Sequence, residues 1–156
     1  MKKVSFLSLA ILSSFVFFTI VTSCSKNNSN TPNTSYKLSG TASGDQEVPA
    51  VTTTGTGTLS GTFNSTTNAL HYNVSWSNLS GTATAAHFHG PAAPGTNSGV
   101  VIPFKVINTG TSGTASGDTT LTDAQKTDLL AGKWYFNVHT AAHGGGEIRG
   151  QTIVTQ

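Results

Sequence analysis

An alternation of apolar and polar side chains with a period of two residues constrains the fold of this chain more than any other feature. In "TGTLSGTF" (residues 56–63), Leu59 and Phe63 fall on one face of an extended segment. In "LHYNVSW" (residues 70–76), Val74 and Trp76 do the same, and polar residues alternate with them. This pattern is typical of antiparallel strands that bury one face and expose the other.

Turn-forming clusters and one helix signal complete the expected architecture. Segments rich in Gly, Asn, Ser and Pro ("STTN", "SNLSGT", "GPAAPGTNSG", "NTGTSG", "HGGG") recur about every ten residues, as in sandwiches and barrels. Thr122 is a candidate N-cap with Gln125 three residues later, and Gly132 is a stop signal. We therefore expect an all-β fold, an antiparallel β-sandwich or Greek-key barrel, with one short helix at about residues 122–131.

The amino-terminal segment "MKKVSFLSLAILSSFVFFTIVTSC" predicts export and lipidation. Two lysines precede an apolar run that only Ser and Thr interrupt, as in a secretory signal peptide. The residues that end at Cys24 resemble a bacterial lipobox, in which the cysteine is acylated. A plain transmembrane anchor is the alternative, but the run falls short of the ~20 apolar residues of a span. We expect a signal peptide at 1–23, and a lipid on Cys24 that holds the protein to a membrane of the bacterial cell envelope, periplasmic or at the outer surface.

The remaining composition excludes several classes of function. Removing Lys2 and Lys3 with the signal peptide leaves six basic residues against six acidic ones, and no basic cluster is present, so no nucleic-acid partner is expected. Cys24 is the only cysteine, which excludes thiol catalysis, iron–sulfur clusters and thiolate zinc sites in the folded part. We expect a flexible, lipid-anchored linker at 24–35 and one β domain at 36–156.

The carboxyl-terminal segments "WYFNVHT" and "EIRGQTIV" are expected to form a hairpin. Alternation turns the apolar residues inward and leaves polar or amphipathic residues on the outward face: Tyr135, Asn137, His139, Glu147, Arg149 and Gln151. Matching the faces requires a register that pairs Val138 with Ile148, His139 with Glu147, and Asn137 with Arg149.

The pair His87 and His89 suggests a metal site on this polar face. Residues i and i+2 of a strand lie about 6.5–7 Å apart at Cα, a span that two imidazoles can close around one ion. His139 is the candidate third ligand for copper or zinc, and His143 a fourth, although a solvated loop histidine is the simpler interpretation of His143. Glu147 would orient His139, or else form a surface ion pair with Arg149. The alternative to a metal site is a set of histidines that hydrogen-bond turn backbones at the sheet edge.

Four motifs, in order, resemble the CHRD domain, a family named for chordin and found in many bacterial secreted proteins and lipoproteins: "GDQEVPAV" (44–51), "AHFHGPAAPGTNSGVV" (86–101), "LLAGKWYFNVHT" (129–140) and "GGEIRGQ" (145–151). The resemblance covers nearly the whole domain. It implies an all-β extracytoplasmic module without an established catalytic activity. The family's recurring His-x-His falls on His87 and His89, and its Asn-Val-His-Thr on residues 137–140. The growth-factor antagonism of the animal protein has no evident counterpart in a bacterial lipoprotein.

A more distant likeness is to Cu/Zn superoxide dismutase, a β-sandwich whose copper is held partly by a His-x-His pair. Arg149 would then guide an anion to the metal. The chain lacks the cysteines and the zinc-ligand loop of that enzyme. Three hypotheses of function follow: a lipid-anchored, non-enzymatic binding module with a metal held by His87, His89 and His139; a copper-dependent redox enzyme; and a structural or adhesive surface domain. The natural ligand or protein partner is not identified by the sequence.

Overall fold

The structure, a computed structural model, describes residues 34–105 and 110–156. The predicted signal peptide, Cys24 and nearly all of the predicted linker lie outside the described residues. Within the described ranges, no helix has the length and apolar character needed to cross a membrane.

The described elements are nine strands, a 3₁₀ turn at Gly44–Gln46 and one α-helix. In chain order the strands and the helix are β1 (Ser35–Ser43), β2 (Thr56–Asn64), β3 (Ala69–Ser77), β4 (Ala83–His89), β5 (Val100–Pro103), β6 (Gly113–Thr120), α1 (Asp123–Leu130), β7 (Tyr135–Thr140), β8 (Ile148–Gln151) and β9 (Ile153–Thr155).

The strands form a single antiparallel sheet that curls into a half-barrel. Its order is β5-β4-β7-β8-β1-β2-β3-β6, and β9 pairs with β1 beside β8. Curling brings distant strands together: the ring of Tyr72 on β3 lies 5.3 Å from that of Phe88 on β4 and 4.6 Å from that of Phe104. Strands far apart in the sheet therefore share one core, and the predicted all-β class with one helix is confirmed.

The alternation read from the sequence matches the burial of β2 and β3. Leu59, Phe63, Val74 and Trp76 are all buried, and the residues between them are exposed or half-buried. These side chains belong to the core enclosed by the curl, which also receives Leu129 from α1. Burial of this apolar set stabilises the curled sheet.

The helix begins and ends at the predicted signals. The Thr122 side chain accepts a hydrogen bond from the Gln125 N–H at 3.2 Å, and the Gln125 side chain accepts one from the Thr122 N–H at 2.9 Å. This reciprocal capping box satisfies backbone donors that the first turn leaves free. Gly132 follows the helix with φ of +68°, a left-handed conformation that favours glycine.

The carboxyl-terminal hairpin has the predicted register at two of its three positions. Val138 pairs with Ile148 and Asn137 with Arg149. Glu147 lies just outside β8, and its N–H donates to the Val138 carbonyl at 2.8 Å. Its side chain leaves the face that carries His139, so the predicted pairing of His139 with Glu147 is wrong.

The outward face of this hairpin is not exposed, which corrects the sequence-based expectation. All six residues of β7 are buried, Arg149 is 2% exposed and Glu147 0%. Residues 96–98 of the loop before β5 contact this face through hydrogen bonds to Arg149, Tyr135 and His89. The face is therefore a buried polar layer. The alternation of the sequence correctly predicts which residues share this face. It does not predict that residues 96–98, which are distant in sequence, cover the face.

Candidate metal centre

The three predicted histidines converge on the buried polar layer. His87 and His89 lie on one face of β4 with Phe88 buried between them, and His139 lies on the neighbouring strand β7. One ring nitrogen of each lies within 4.8 Å of those of the other two. His87 Nδ1 is 3.1 Å from His139 Nε2. The fold therefore brings together three imidazole nitrogens, which are common ligands of transition metal ions.

Backbone carbonyls fix the tautomers of two of these rings. His89 Nδ1 lies 3.0 Å from the Ser98 carbonyl, and His139 Nδ1 lies 3.0 Å from the Gly144 carbonyl. A carbonyl only accepts, so each Nδ1 carries the proton and donates it. In a neutral imidazole the other nitrogen, Nε2, then presents a lone pair. Such hydrogen bonds are the usual means by which a metal-binding histidine is oriented.

The electrostatic setting favours the neutral forms of His87 and His139. Burial, followed by the neighbouring His139 and His89, lowers the pKa of His87 to about 4. Burial also lowers the pKa of His139, against the hydrogen bond to Gly144, with His89 acting in the same direction as burial. Neutral imidazoles are the form that binds metal ions, so no proton has to be displaced from these two rings at pH 7.

Asn137 stands between His89 and His139. Its Oδ1 is 3.0 Å from His89 Nε2 and 2.9 Å from His139 Nε2. Both nitrogens carry lone pairs when the rings are neutral, so an amide oxygen faces two further acceptors. Three acceptor atoms that face each other without a hydrogen between them repel one another. A cation at their centre would turn this repulsion into attraction.

A stacked column holds His89 from the side. The Tyr135 ring lies parallel to the His89 ring, with centroids 4.8 Å apart, and Arg149 Cζ lies 3.5 Å from the Tyr135 centroid. Arg149 donates to Asn97 Oδ1 at 3.0 Å and to the Thr96 carbonyl at 2.7 Å. This buried guanidinium fastens the loop over the polar layer. It neither forms a surface ion pair with Glu147 nor stands exposed as an anion guide.

Glu147 serves a separate part of the fold and does not orient His139. Its carboxylate accepts from the Thr53 hydroxyl at 2.6 Å, the Ser80 N–H and hydroxyl at 2.7 Å each, and the Thr140 hydroxyl at 2.7 Å. Burial alone would raise the pKa of Glu147, but these hydrogen bonds lower it to about 2. The acceptor that orients His139 is the Gly144 carbonyl.

His143 is not part of the cluster among the described residues. It lies half-buried in the turn after β7, where its N–H donates to Thr140 and its carbonyl accepts from Gly146.

Sequence reasoning missed Glu47, which is 7% exposed beside Asn137. Burial raises the pKa of Glu47, opposed by the charge of Arg149 and by hydrogen bonding from Asn137 and Val48. The only feature of the sequence that could have indicated a role for Glu47 is its position inside the motif "GDQEVPAV".

The curled antiparallel sheet and its cluster of two buried histidines and one half-buried histidine define a small all-β module with a candidate metal site. The sequence profile described as the CHRD domain matches residues 38–152, and the chain belongs to that family. No curated protein and no solved structure matches the chain significantly.

Proposed function

We propose that the chain is a lipid-anchored, extracytoplasmic CHRD-domain module that binds one divalent transition metal ion through His87, His89 and His139 and has no catalytic activity of its own. The convergence of three imidazoles carries this proposal. In both His89 and His139, Nδ1 donates its proton in a hydrogen bond to a backbone carbonyl. The Nε2 atoms, which face the cluster, therefore carry lone pairs.

The separations suit one ion. Metal–nitrogen bonds of ~2.0–2.1 Å put two ligands about 3.0 Å apart at a right angle and about 3.4 Å apart in a tetrahedron. The His87 and His139 nitrogens are 3.1 Å apart. Two nitrogens bound to one ion can be at most about 4.2 Å apart, when they lie on opposite sides of it. The three histidine nitrogens lie within 4.8 Å of one another, so small ring rotations that shorten the longest separation by roughly 0.6 Å are sufficient. Imidazole ligands favour copper over zinc and cobalt among divalent ions.

The two competing functions have less support. A dismutase-like enzyme would use Arg149 to draw in an anion, but this guanidinium is buried and bonded to the 96–97 backbone and side chain. A structural or adhesive domain would not require the lone pairs of His89 Nε2 and His139 Nε2 to face the Asn137 oxygen in a buried layer, since unmatched acceptors lower stability.

Calorimetric titration of the full chain, purified without a histidine tag, tests the proposal. Wild type should take up one Cu²⁺ tightly, and Zn²⁺ and Co²⁺ more weakly. The double variant His87→Ala/His89→Ala should lose the tight site.

His71→Ala and His143→Ala are the matched controls and should keep that site, because His71 is exposed and pairs with Asp118 on another face. Equal affinity of wild type and the double variant would support the structural domain instead. Superoxide dismutation by the copper-loaded chain would support the enzyme.

A further inference from the structure

Asn137 has the position of a ligand, although its sequence context predicts only a polar-face residue. It is 2% exposed, and its Oδ1 lies within 3.0 Å of two ring nitrogens that hold lone pairs. Distances of 2.9 and 3.0 Å equal the separation of about 3.0 Å expected for two ligands at a right angle around one ion.

The neighbours of Asn137 set the direction of its amide. Nδ2 points toward the Gly145 carbonyl, at 3.4 Å, and toward Glu47. Turning the amide over would place Oδ1 against this carbonyl and against Glu47, both of which are acceptors when Glu47 is ionised. The side of Asn137 that faces the histidines is therefore the oxygen.

Glu47 and the Asn137 amide both lie next to the Cα atom of Gly146. A Cβ built on Gly146 would collide with Glu47 Oε1 and lie 2.6 Å from Asn137 Nδ2. Gly146 has φ of +126°, so a side chain is excluded there by conformation as well as by space. Glu47 Oε1 is buried, and the described residues offer it no hydrogen-bond partner at regular geometry. A buried carboxylate oxygen without a hydrogen-bond partner is energetically costly and rare in native proteins, and is therefore often functional.

We infer that Asn137 supplies the fourth ligand, through Oδ1, to the divalent ion proposed above, and that Glu47 is the positioning residue that draws Nδ2 away and aims Oδ1 at that ion. This inference rests on the proposed function. The resulting set of three imidazoles and one amide oxygen suits Cu²⁺ or Zn²⁺ and disfavours Cu⁺, which prefers thiolate and thioether ligands. Glu47 would thus position Asn137, whereas the role predicted for Glu147, orienting His139, belongs to the Gly144 carbonyl.

Pulsed electron paramagnetic resonance of the full chain with one equivalent of Cu²⁺ tests the ligand directly. The protein is labelled with ¹³C at the asparagine carboxamide carbon, so no substitution is needed. A strong ¹³C hyperfine coupling to one carboxamide is expected, together with nitrogen couplings from three imidazoles. Imidazole couplings without a carboxamide coupling would overturn the assignment of Asn137.

Variants separate the two residues. Asn137→Ala should change the copper g and hyperfine values and weaken Cu²⁺ binding at least tenfold. Glu47→Ala should shift the spectrum in the same direction as Asn137→Ala. Glu47→Gln, which keeps an oxygen to accept from Nδ2, should give the wild-type spectrum.

Asn73→Ala and Asp45→Asn are the controls, because both side chains are exposed and neither is proposed to bind or position the ion. Both variants should bind Cu²⁺ with the wild-type affinity and give the wild-type spectrum. If wild type and all variants bind no copper, the proposed function fails. If wild type binds copper and loses it in the histidine double variant, while Asn137→Ala keeps the wild-type spectrum and affinity, only this inference fails. A wild-type spectrum for Glu47→Ala beside a shifted one for Asn137→Ala would overturn the positioning task of Glu47.

Discussion

Replacing Glu147 by glutamine should destabilise the fold strongly at neutral pH and less in acid. Four donors from Thr53, Ser80 and Thr140 surround this fully buried carboxylate. Lowering the pKa from 4.5 to about 2 corresponds to about 3 kcal/mol of stability at pH 7. Glutamine would turn an NH₂ group toward donors and leave them unmatched, a cost of the same order, about 1–3 kcal/mol per group.

The sign of the pH dependence follows from the lowered pKa. The folded state binds the Glu147 proton less readily than the unfolded state, so the stabilisation is complete above the unfolded-state pKa of 4.5 and is lost as pH falls toward 2. Urea unfolding of wild type and Glu147→Gln at pH values between 7 and 2 should show a gap of about 3 kcal/mol that narrows below pH 5. Because the two proteins differ only at residue 147, the contributions of other groups cancel in the difference.

The control is Asp45→Asn, which removes an exposed carboxylate and should change stability by less than about 0.5 kcal/mol at every pH. A gap between wild type and Glu147→Gln that stays constant from pH 5 to pH 2 would refute the argument, because the charge of Glu147 would then contribute nothing.

Three further substitutions test the core face of β7, the loop held by Arg149 and the lipidation of Cys24. Val138→Asp buries an unpaired carboxylate in the core at a cost of several kcal/mol, so the far-ultraviolet signal and urea midpoint should collapse; a folded variant would contradict the face assignment. Arg149→Ala removes two hydrogen bonds and the contact with Tyr135, so amide exchange of residues 96–98 should accelerate while β2 and β3 keep wild-type protection. Cys24→Ala should leave the protein unacylated and out of the detergent phase; acylated material would contradict the lipoprotein proposal.

Local chemistry was enough to predict much of the fold. The alternation at Leu59 and Phe63, the capping pair Thr122 and Gln125, and the pairing of Val138 with Ile148 each depend on neighbours along one strand, one turn or one hairpin. Such short-range rules can be read from the sequence without knowledge of the rest of the molecule.

The cover of the polar layer and the two buried carboxylates could not be predicted, because they depend on contacts between distant segments. Arg149 bonds to residues more than fifty positions away, and Thr53 meets Glu147 across 94 positions. The sequence assigned Glu147 to His139 by register alone. Since β8 begins only at Ile148, the Glu147 side chain is free to turn to the Thr53 and Ser80 loops, and Glu47 approaches Asn137 from the loop after β1.

The most direct test of the metal site is anomalous diffraction at the copper edge from crystals of the chain soaked in Cu²⁺. The proposed site predicts one strong peak about 2.0–2.1 Å from His87 Nδ1, His89 Nε2 and His139 Nε2. A peak at His143 or at the His71–Asp118 pair, with none among these three rings, would contradict it.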